Sequence, residues 1–177
     1  GEFLALMPSN QLNEEAMPFF GQAWLRYANL QQQFDADFLA RVEATPFPRT
    51  LAGWKPFYLG NYHAARADSA TATTCFTEAI ALDPYEATFY LRFAEFYQQL
   101  KDADRAYQVL LEGTRDNPGN PAILQAYVLA SLELGYTSFA EDGMAQLENV
   151  LPPAPYQQFK KVYSQKLAQV ENLYQDW

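Results

Sequence analysis

The sequence has very little cysteine and histidine, two residue types that recur in catalytic and metal sites. It contains one cysteine, Cys75, and one histidine, His63, among 177 residues. A single cysteine cannot form a disulfide within the chain, and it has no second cysteine with which to bind a metal. The sequence also has neither a phosphate-binding glycine loop nor an HExxH motif. We therefore predict a protein that is not an enzyme and that holds no cofactor and no metal.

Basic residues and long apolar runs are also scarce. The 12 lysine and arginine residues are outnumbered by 21 aspartate and glutamate residues, which gives a formal net charge of −9 at pH 7. Since a chain with this charge repels phosphate backbones, nucleic acid is not expected as a partner. The apolar stretch at residues 3–7 is interrupted by Pro8, and no run approaches the roughly 18 apolar residues of a membrane helix. Direct insertion of this chain into a membrane is therefore not expected.

Apolar residues, by contrast, are plentiful enough for a packed core, since 49% of the residues are hydrophobic and 16% are aromatic. The length fits one domain or one continuous repeat array. Residues 1–3 resemble a tag and cloning remnant, which leads to the hypothesis that a signal or anchor upstream was removed. The compartment stays open between cytoplasm and periplasm, because a cysteine-poor protein suits both.

A pattern of 34 residues recurs along the chain. When residues 53–86, 87–120 and 121–154 are superimposed without gaps, an alanine and a closing proline fall in the same columns in all three copies. The columns that agree are Leu59, Phe93 and Tyr127; Gly60, Ala94 and Val128; Ala72, Ala106 and Ala140; Phe76, Leu110 and Met144; Ala79, Gly113 and Leu147; and Pro84, Pro118 and Pro152. A fixed period of this length is typical of stacked repeat units.

Each copy is predicted to form two helices. In the second copy, apolar residues keep the three-and-four spacing of one helical face over residues 90–97 and again over residues 106–113. Asp102 is predicted to cap the second of these helices. In the third copy, Ser138 and Glu141 have the spacing of a capping box. Proline ends each copy, because it lacks the amide hydrogen that continues a helix.

These columns resemble the tetratricopeptide repeat family, whose units carry a Leu-Gly pair, a mid-helix alanine, a later aromatic residue, a further alanine and a closing proline. The first copy matches closely through Leu59, Gly60, Ala72, Phe76, Ala79 and Pro84. Pro56 replaces the tryptophan expected near the start of the first unit, which places this proline inside the first turn of its helix. The resemblance implies an all-α fold, a right-handed α-α superhelix of antiparallel helix pairs with flanking capping helices.

Flanking segments complete the predicted domain organisation. Since the end units of a stacked array must shield their apolar faces, the apolar stripe that begins at Phe159 predicts a C-terminal capping helix. The N-terminal segment is predicted to be a helical pair or a degenerate repeat, with Asp35 capping its second helix. The predicted order is a tag remnant and lead-in at 1–17, the N-terminal pair at 18–52, repeats at 53–86, 87–120 and 121–154, and the capping helix at 155–177.

His63 and Cys75 are the one pair from which a nucleophilic dyad could be built. They lie 12 residues apart on adjoining predicted helices, and no carboxylate or asparagine is evident to orient the histidine. His63 falls in the column where the second copy has Tyr97, and Cys75 is a small hydrophobe beside Phe76. Both residues are therefore expected to pack between helices.

In the tetratricopeptide repeat family, the first helices of successive units line a concave groove, and the resemblance implies such a groove here. The candidate groove consists of Trp54, Phe57, Tyr58 and Asn61 in the first copy, Leu91, Arg92, Glu95 and Gln98 in the second, and Gln125, Leu129 and Leu132 in the third. Its mixture of aromatic, aliphatic and polar side chains suits an extended peptide or a helix. Alternatively, the N-terminal helices cover Trp54, Phe57 and Tyr58.

The resemblance thus implies a non-catalytic adaptor that binds a peptide or helical segment of another protein in the candidate groove. The alternative is a soluble repeat module of a larger protein, membrane-anchored or self-assembling, which serves scaffolding or oligomerisation and has its own copies as partners. The tails of heat-shock chaperones are not expected as ligands, because Asn61 matches the family's carboxylate clamp but Arg92 alone makes a weak clamp.

Overall fold

The computed structural model describes the backbone of residues 17–175 and the side chains of residues 21–172. Within these residues the chain forms nine α-helices and a short 3₁₀ turn at Arg49–Leu51, and it forms no β-strand. The helices are α1 Met17–Leu30, α2 Ala36–Ala44, α3 Trp54–Ala64, α4 Ser69–Leu82, α5 Ala87–Gln99, α6 Ala103–Asp116, α7 Pro121–Glu133, α8 Thr137–Val150 and α9 Pro153–Gln175. The prediction of an all-α fold is confirmed.

The chain divides into two compact units at the bond between Asp83 and Pro84. Within the described part of the chain, the first unit consists of α1 to α4 and the second of α5 to α9. The predicted domain boundaries and the right-handed sense of the superhelix stay predictions. The predicted tag remnant and the apolar stretch at residues 3–7 lie outside the described residues.

In the first unit, α3 and α4 form a helical hairpin, and α1 and α2 pack together and against α3. Asp35 caps α2 as predicted, since its Oδ1 accepts a hydrogen bond of 2.9 Å from the backbone amide of Phe38. Pro56 is the third residue of α3, which confirms its predicted place in the first turn. This turn tolerates proline because its amides have no partner within the helix.

The hairpin turns recur with the predicted period of 34 residues. Ala67, Lys101 and Gly135 all adopt left-handed backbone conformations, with φ angles of 58°, 59° and 74°. Glycine adopts this conformation without a steric cost, whereas Ala67 and Lys101 are held in it by the hydrogen bonds of the turn. The helices that follow these turns begin at Ser69, Ala103 and Thr137. The 34-residue period of the sequence is therefore also a period of the backbone conformation.

The start of the second helix differs between the copies. Asp68 and Asp102 cap α4 and α6 by accepting hydrogen bonds of 3.2 Å and 3.0 Å from backbone amides one turn later, which confirms the cap predicted for Asp102. The capping box predicted for the third copy is wrong, because Ser138 and Glu141 both lie inside α8. The N-cap of α8 is Tyr136, which makes no side-chain capping bond. An N-cap must precede the first helical residue to reach the exposed amides.

The core of the second unit is closed by α9, which packs against α7 and α8. The buried cluster at this end contains Leu124, Val128, Leu132, Ala140, Met144, Leu147, Tyr156 and Phe159. The last two belong to α9, and burial of each is worth on the order of 2 kcal/mol. The helix begins at Pro153, close to the predicted start, and its packing agrees with a capping role.

Candidate functional site

The first-copy residues of the candidate groove are mostly buried in the first unit. The exposed fractions of Phe57, Tyr58 and Asn61 are 1%, 2% and 1%, so these side chains do not line an open groove, and the alternative that Phe57 and Tyr58 are covered fits their burial. The ring of Tyr58 lies 6.1 Å from that of Phe38 on α2, and Nδ2 of Asn61 donates a hydrogen bond of 3.0 Å to the side chain of Asn29 on α1. The N-terminal helices therefore cover this part of α3.

Trp54 and Tyr58 both lie close to Arg26 of α1. The guanidinium carbon of Arg26 lies 5.2 Å from the centre of the Trp54 ring, and Trp54 is half-buried. Burial raises the pKa of Tyr58 to about 12, although the nearby positive charge of Arg26 acts in the opposite direction. The Tyr58 hydroxyl is therefore protonated at neutral pH, and it is a structural group of the first unit.

The second unit keeps a partly exposed stripe on two helices that pack together, α5 and α7. Leu91 and Arg92 are half-buried, whereas Glu95 and Gln98 are exposed, and these residues follow the helical spacing of one face. Nη1 of Arg92 lies 2.9 Å from Oε2 of Glu95, so the two side chains form an ion pair along α5.

On α7, Gln125 and Leu129 are half-buried, whereas Leu132 is fully buried. The prediction that Leu132 lines the groove is therefore wrong, because this side chain belongs to the cluster closed by α9. Leu129 packs against the same cluster from its edge. The candidate residues that remain accessible in the second unit are Leu91, Arg92, Glu95, Gln98, Gln125 and Leu129, which we call the α5–α7 face.

His63 has an orienting carboxylate that sequence reasoning missed. Nδ1 of His63 lies 3.1 Å from Oδ2 of Asp68, across the turn between α3 and α4. Hydrogen bonds from Thr71 and, to a smaller extent, from His63 hold the pKa of Asp68 below its ordinary value. The sequence did contain a signal for this carboxylate, because Asp68 occupies the same repeat column as the predicted cap Asp102. Asp68 thus links the two helices of its hairpin.

Cys75 lies in the core of the first unit, with 9% of its surface exposed. Burial raises the pKa of its thiol, and the charges of Glu78 and Asp68 raise it further. Since the thiolate is the nucleophile, a protonated thiol at neutral pH is poorly suited to covalent catalysis. Its burial agrees with the predicted packing role.

Metal and membrane features were sought in the described part of the chain. The described side chains, those of residues 21–172, include no group of three or more histidine, cysteine, aspartate and glutamate residues placed to hold a metal ion. Among the described helices, none combines the length and the apolar character needed to cross a bilayer.

An aromatic cluster on α6, α7 and α8 was missed by sequence reasoning. The rings of Tyr107 and Tyr127 are stacked with centroids 5.6 Å apart, and Tyr136 meets Tyr107 edge to face at 5.3 Å. Phe139 in turn meets Tyr136 edge to face at 6.2 Å. Tyr107 and Tyr127 are buried, whereas Tyr136 and Phe139 are 41% and 50% exposed. We call these four residues the outer aromatic cluster.

The comparisons with known proteins agree with the periodic backbone. A family model described as tetratricopeptide repeat matches residues 63–132, from the end of α3 through most of α7. No curated protein is significantly similar to the chain. Repeats of this family generally mediate contacts between proteins. The helical hairpins and their 34-residue period agree with this match to tetratricopeptide repeats, which covers residues 63–132 of the 177.

Proposed function

We propose that the chain is a non-catalytic interaction module that binds a peptide or helical segment of another protein on the α5–α7 face. The observation that carries the proposal is the pair of packed helices α5 and α7, whose buried faces form the core while one stripe of each stays accessible. Adjacent helices with accessible stripes form a shallow surface along which a segment can lie.

The chemistry of the α5–α7 face suits a segment with both apolar and polar side chains. Leu91 and Leu129 supply half-buried apolar contacts, and a partner that covers them removes the remaining apolar area from water. The ion pair between Arg92 and Glu95 and the amide of Gln125 supply donors and acceptors that select the register of the segment. A predominantly apolar partner would remove these polar groups from water without offering them new hydrogen bonds, which opposes its binding.

The surroundings of Cys75 and His63, the two residues with catalytic potential, support the non-catalytic part of the proposal. The pKa of the Cys75 thiol is raised by burial, and His63 faces Asp68 in a contact that joins two helices. These surroundings favour structural roles for both side chains.

The proposal is tested by selecting peptides from a displayed random library on the unmodified chain and measuring their affinity for variants. Leu91→Glu places a charge on the α5–α7 face, and Leu100→Glu is the matched control, since Leu100 is an exposed leucine beyond the end of α5. Leu129→Glu is less suitable, because Leu129 also packs against the buried cluster.

The expected result is a set of selected peptides whose affinity falls by roughly tenfold or more in Leu91→Glu and stays unchanged in Leu100→Glu. Equal affinity for both variants would contradict the α5–α7 face. Sedimentation of the unmodified chain tests the alternative of self-assembly. A dimer that Leu91→Glu dissociates would mean that this face binds a second copy instead.

A further inference from the structure

The third copy departs from the other two at the start of its second helix. The N-cap positions of α4, α6 and α8 are occupied by Asp68, Asp102 and Tyr136, at equal intervals of 34 residues. Three residues further on, the same helices carry Thr71, Arg105 and Phe139. The third copy thus has two aromatic residues where the others have a capping carboxylate and a polar side chain.

These aromatic residues do not stabilise the start of α8 by an N-capping hydrogen bond. Aspartate is among the best N-cap residues, whereas tyrosine has no acceptor that reaches the amides of the first turn. Tyr136 makes no capping bond, and Phe139 leaves half of its surface exposed to solvent. Residues that break a local folding rule and leave much of their surface exposed are candidates for a functional role.

The exposed rings are held in place by buried ones. Tyr136 contacts Tyr107, which stacks on Tyr127, and both of these inner tyrosines are only 6% exposed. Phe139 contacts Tyr136 on the outer side. Because the outer rings are fixed before a ligand arrives, less conformational entropy is lost on binding.

Carboxylates are the only charged side chains in the segment that carries Tyr127, Tyr136 and Phe139. Between Arg115 and Lys160 the chain has no lysine, arginine or histidine. The same interval contains Asp116, Glu133, Glu141, Asp142 and Glu148, and all but Asp116 have exposed side chains. Asp142 lies one helical turn after Phe139, and its charge contributes to the raised pKa of Tyr127. This segment therefore favours cations at Tyr136 and Phe139, although Arg105 lies two residues before Tyr107 on α6.

We propose that the outer aromatic cluster docks a basic segment of a partner protein, with arginine or lysine side chains lying over Tyr136 and Phe139 and pairing with Asp142. Ring faces attract such cations, and the neighbouring carboxylate completes the ion pair. The chain itself shows this contact, since the guanidinium carbon of Arg105 lies 5.1 Å from the centre of the Tyr97 ring. The proposal is independent of the α5–α7 face.

The test uses the full chain and a blocked peptide of alternating arginine and glycine, titrated by calorimetry at low salt. A peptide with citrulline in place of arginine is the control for charge, because citrulline keeps the shape of the side chain. The double variant Tyr136→Asp, Phe139→Thr gives the third copy the residues that the first copy has at Asp68 and Thr71. It removes both outer rings, supplies a capping carboxylate and makes the chain more acidic.

We expect the arginine peptide to bind saturably and the citrulline peptide not to bind. In the double variant the dissociation constant should rise by roughly tenfold or more, although the added negative charge alone would lower it. Leu91→Glu keeps both outer rings and should not weaken this binding, which separates a failure here from a failure of the α5–α7 face.

Folding of the double variant is checked by thermal unfolding, and the restored cap should keep it at least as stable as the unmodified chain. The single variant Phe139→Thr provides a second comparison and should weaken binding in the same direction. Unchanged or tighter binding in the variants, or no binding by the unmodified chain, would overturn the proposal. A dimer of the unmodified chain that the double variant dissociates would also overturn it, because a second copy would then occupy the cluster.

Discussion

The crossing of α7 and α8 depends on a glycine that faces a valine. A Cβ atom added at Gly143 would lie 2.6 Å from Cγ2 of Val128, a distance that requires one of the groups to move. Val128 is fully buried, and a β-branched side chain in a helix has essentially one rotamer. We therefore expect Gly143→Ala to force the two helices apart.

The expected change in the free energy of unfolding is the sum of two opposing effects. Alanine in a helix interior is favoured over glycine by about 1 kcal/mol, and overpacking of a buried site costs about 2 kcal/mol. The free energy of unfolding should therefore fall by about 1 kcal/mol in Gly143→Ala. If Val128 is first changed to alanine, the clash disappears, and the same substitution should raise the free energy of unfolding by about 1 kcal/mol. The change of sign corresponds to a coupling of about 2 kcal/mol.

Urea unfolding of the unmodified chain, the two single variants and the double variant measures this coupling. Circular dichroism gives the midpoint and slope, and hydrogen exchange of the amides in α7 and α8 reports on the second unit directly. Gly113→Ala is a control. Its added Cβ would lie 3.1 Å from Tyr90 and does not face Val128, so its effect should not depend on the residue at position 128. A Gly143→Ala substitution that stabilises the chain equally with valine or alanine at position 128 would refute the reasoning.

Three predictions concern titratable groups. Cys75 should react with iodoacetamide more slowly in the folded chain than in urea, because burial raises the pKa of its thiol, and equal rates would contradict its packing in the core. Tyr58 and Tyr127 should ionise at a pH of about 12 in an absorbance titration, so the stability that they contribute is present below their ordinary pKa of 10.0 and lost as the pH rises towards 12. Ionisation of all tyrosines near pH 10 in the folded chain would contradict the burial of these two. The lowered pKa of Asp68 implies stability that is lost as the pH falls through the acidic range, and Asp68→Asn should flatten this dependence in thermal unfolding if the carboxylate is its source.

Features set by local sequence could be predicted, because their causes lie within one turn of helix. Asp35 and Asp102 cap the helices that follow them, and Pro56 lies in the first turn of α3. The capping box at Ser138 and Glu141 failed for a related reason. Its residue types were correct, but the turn at Gly135 fixes the start of α8 before Ser138. A motif identifies a cap only once the register of the turn is known.

The sequence left the accessibility of the first-copy groove residues open between exposure and coverage by the N-terminal helices, because it depends on segments that have no fixed place in the repeat. Phe57, Tyr58 and Asn61 occupy groove columns, yet Phe38 and Asn29 of the N-terminal helices contact the last two of them. Leu132 is buried by the cluster that α9 closes. Contacts of this kind join residues far apart in sequence, and the repeat pattern contains no information about them.

The third copy shows why departures from a repeat pattern have to be judged by their contacts. Val128 is larger than Gly60 and Ala94 in the same column, and Gly143 is correspondingly smaller than Cys75 and Val109.

This exchange of size between α7 and α8 is compensated, so it preserves the helix crossing and needs no further role. Tyr136 and Phe139 replace polar residues, and although Tyr136 contacts Tyr107 and Phe139 contacts Tyr136, both remain exposed. Restoring the residues of the first copy at these two positions should therefore leave stability intact or raised, whereas restoring a larger residue at Gly143 should lower it. A loss of stability on the first change would show that the aromatic pair is part of the fold, and it would remove the reason to treat it as a binding surface.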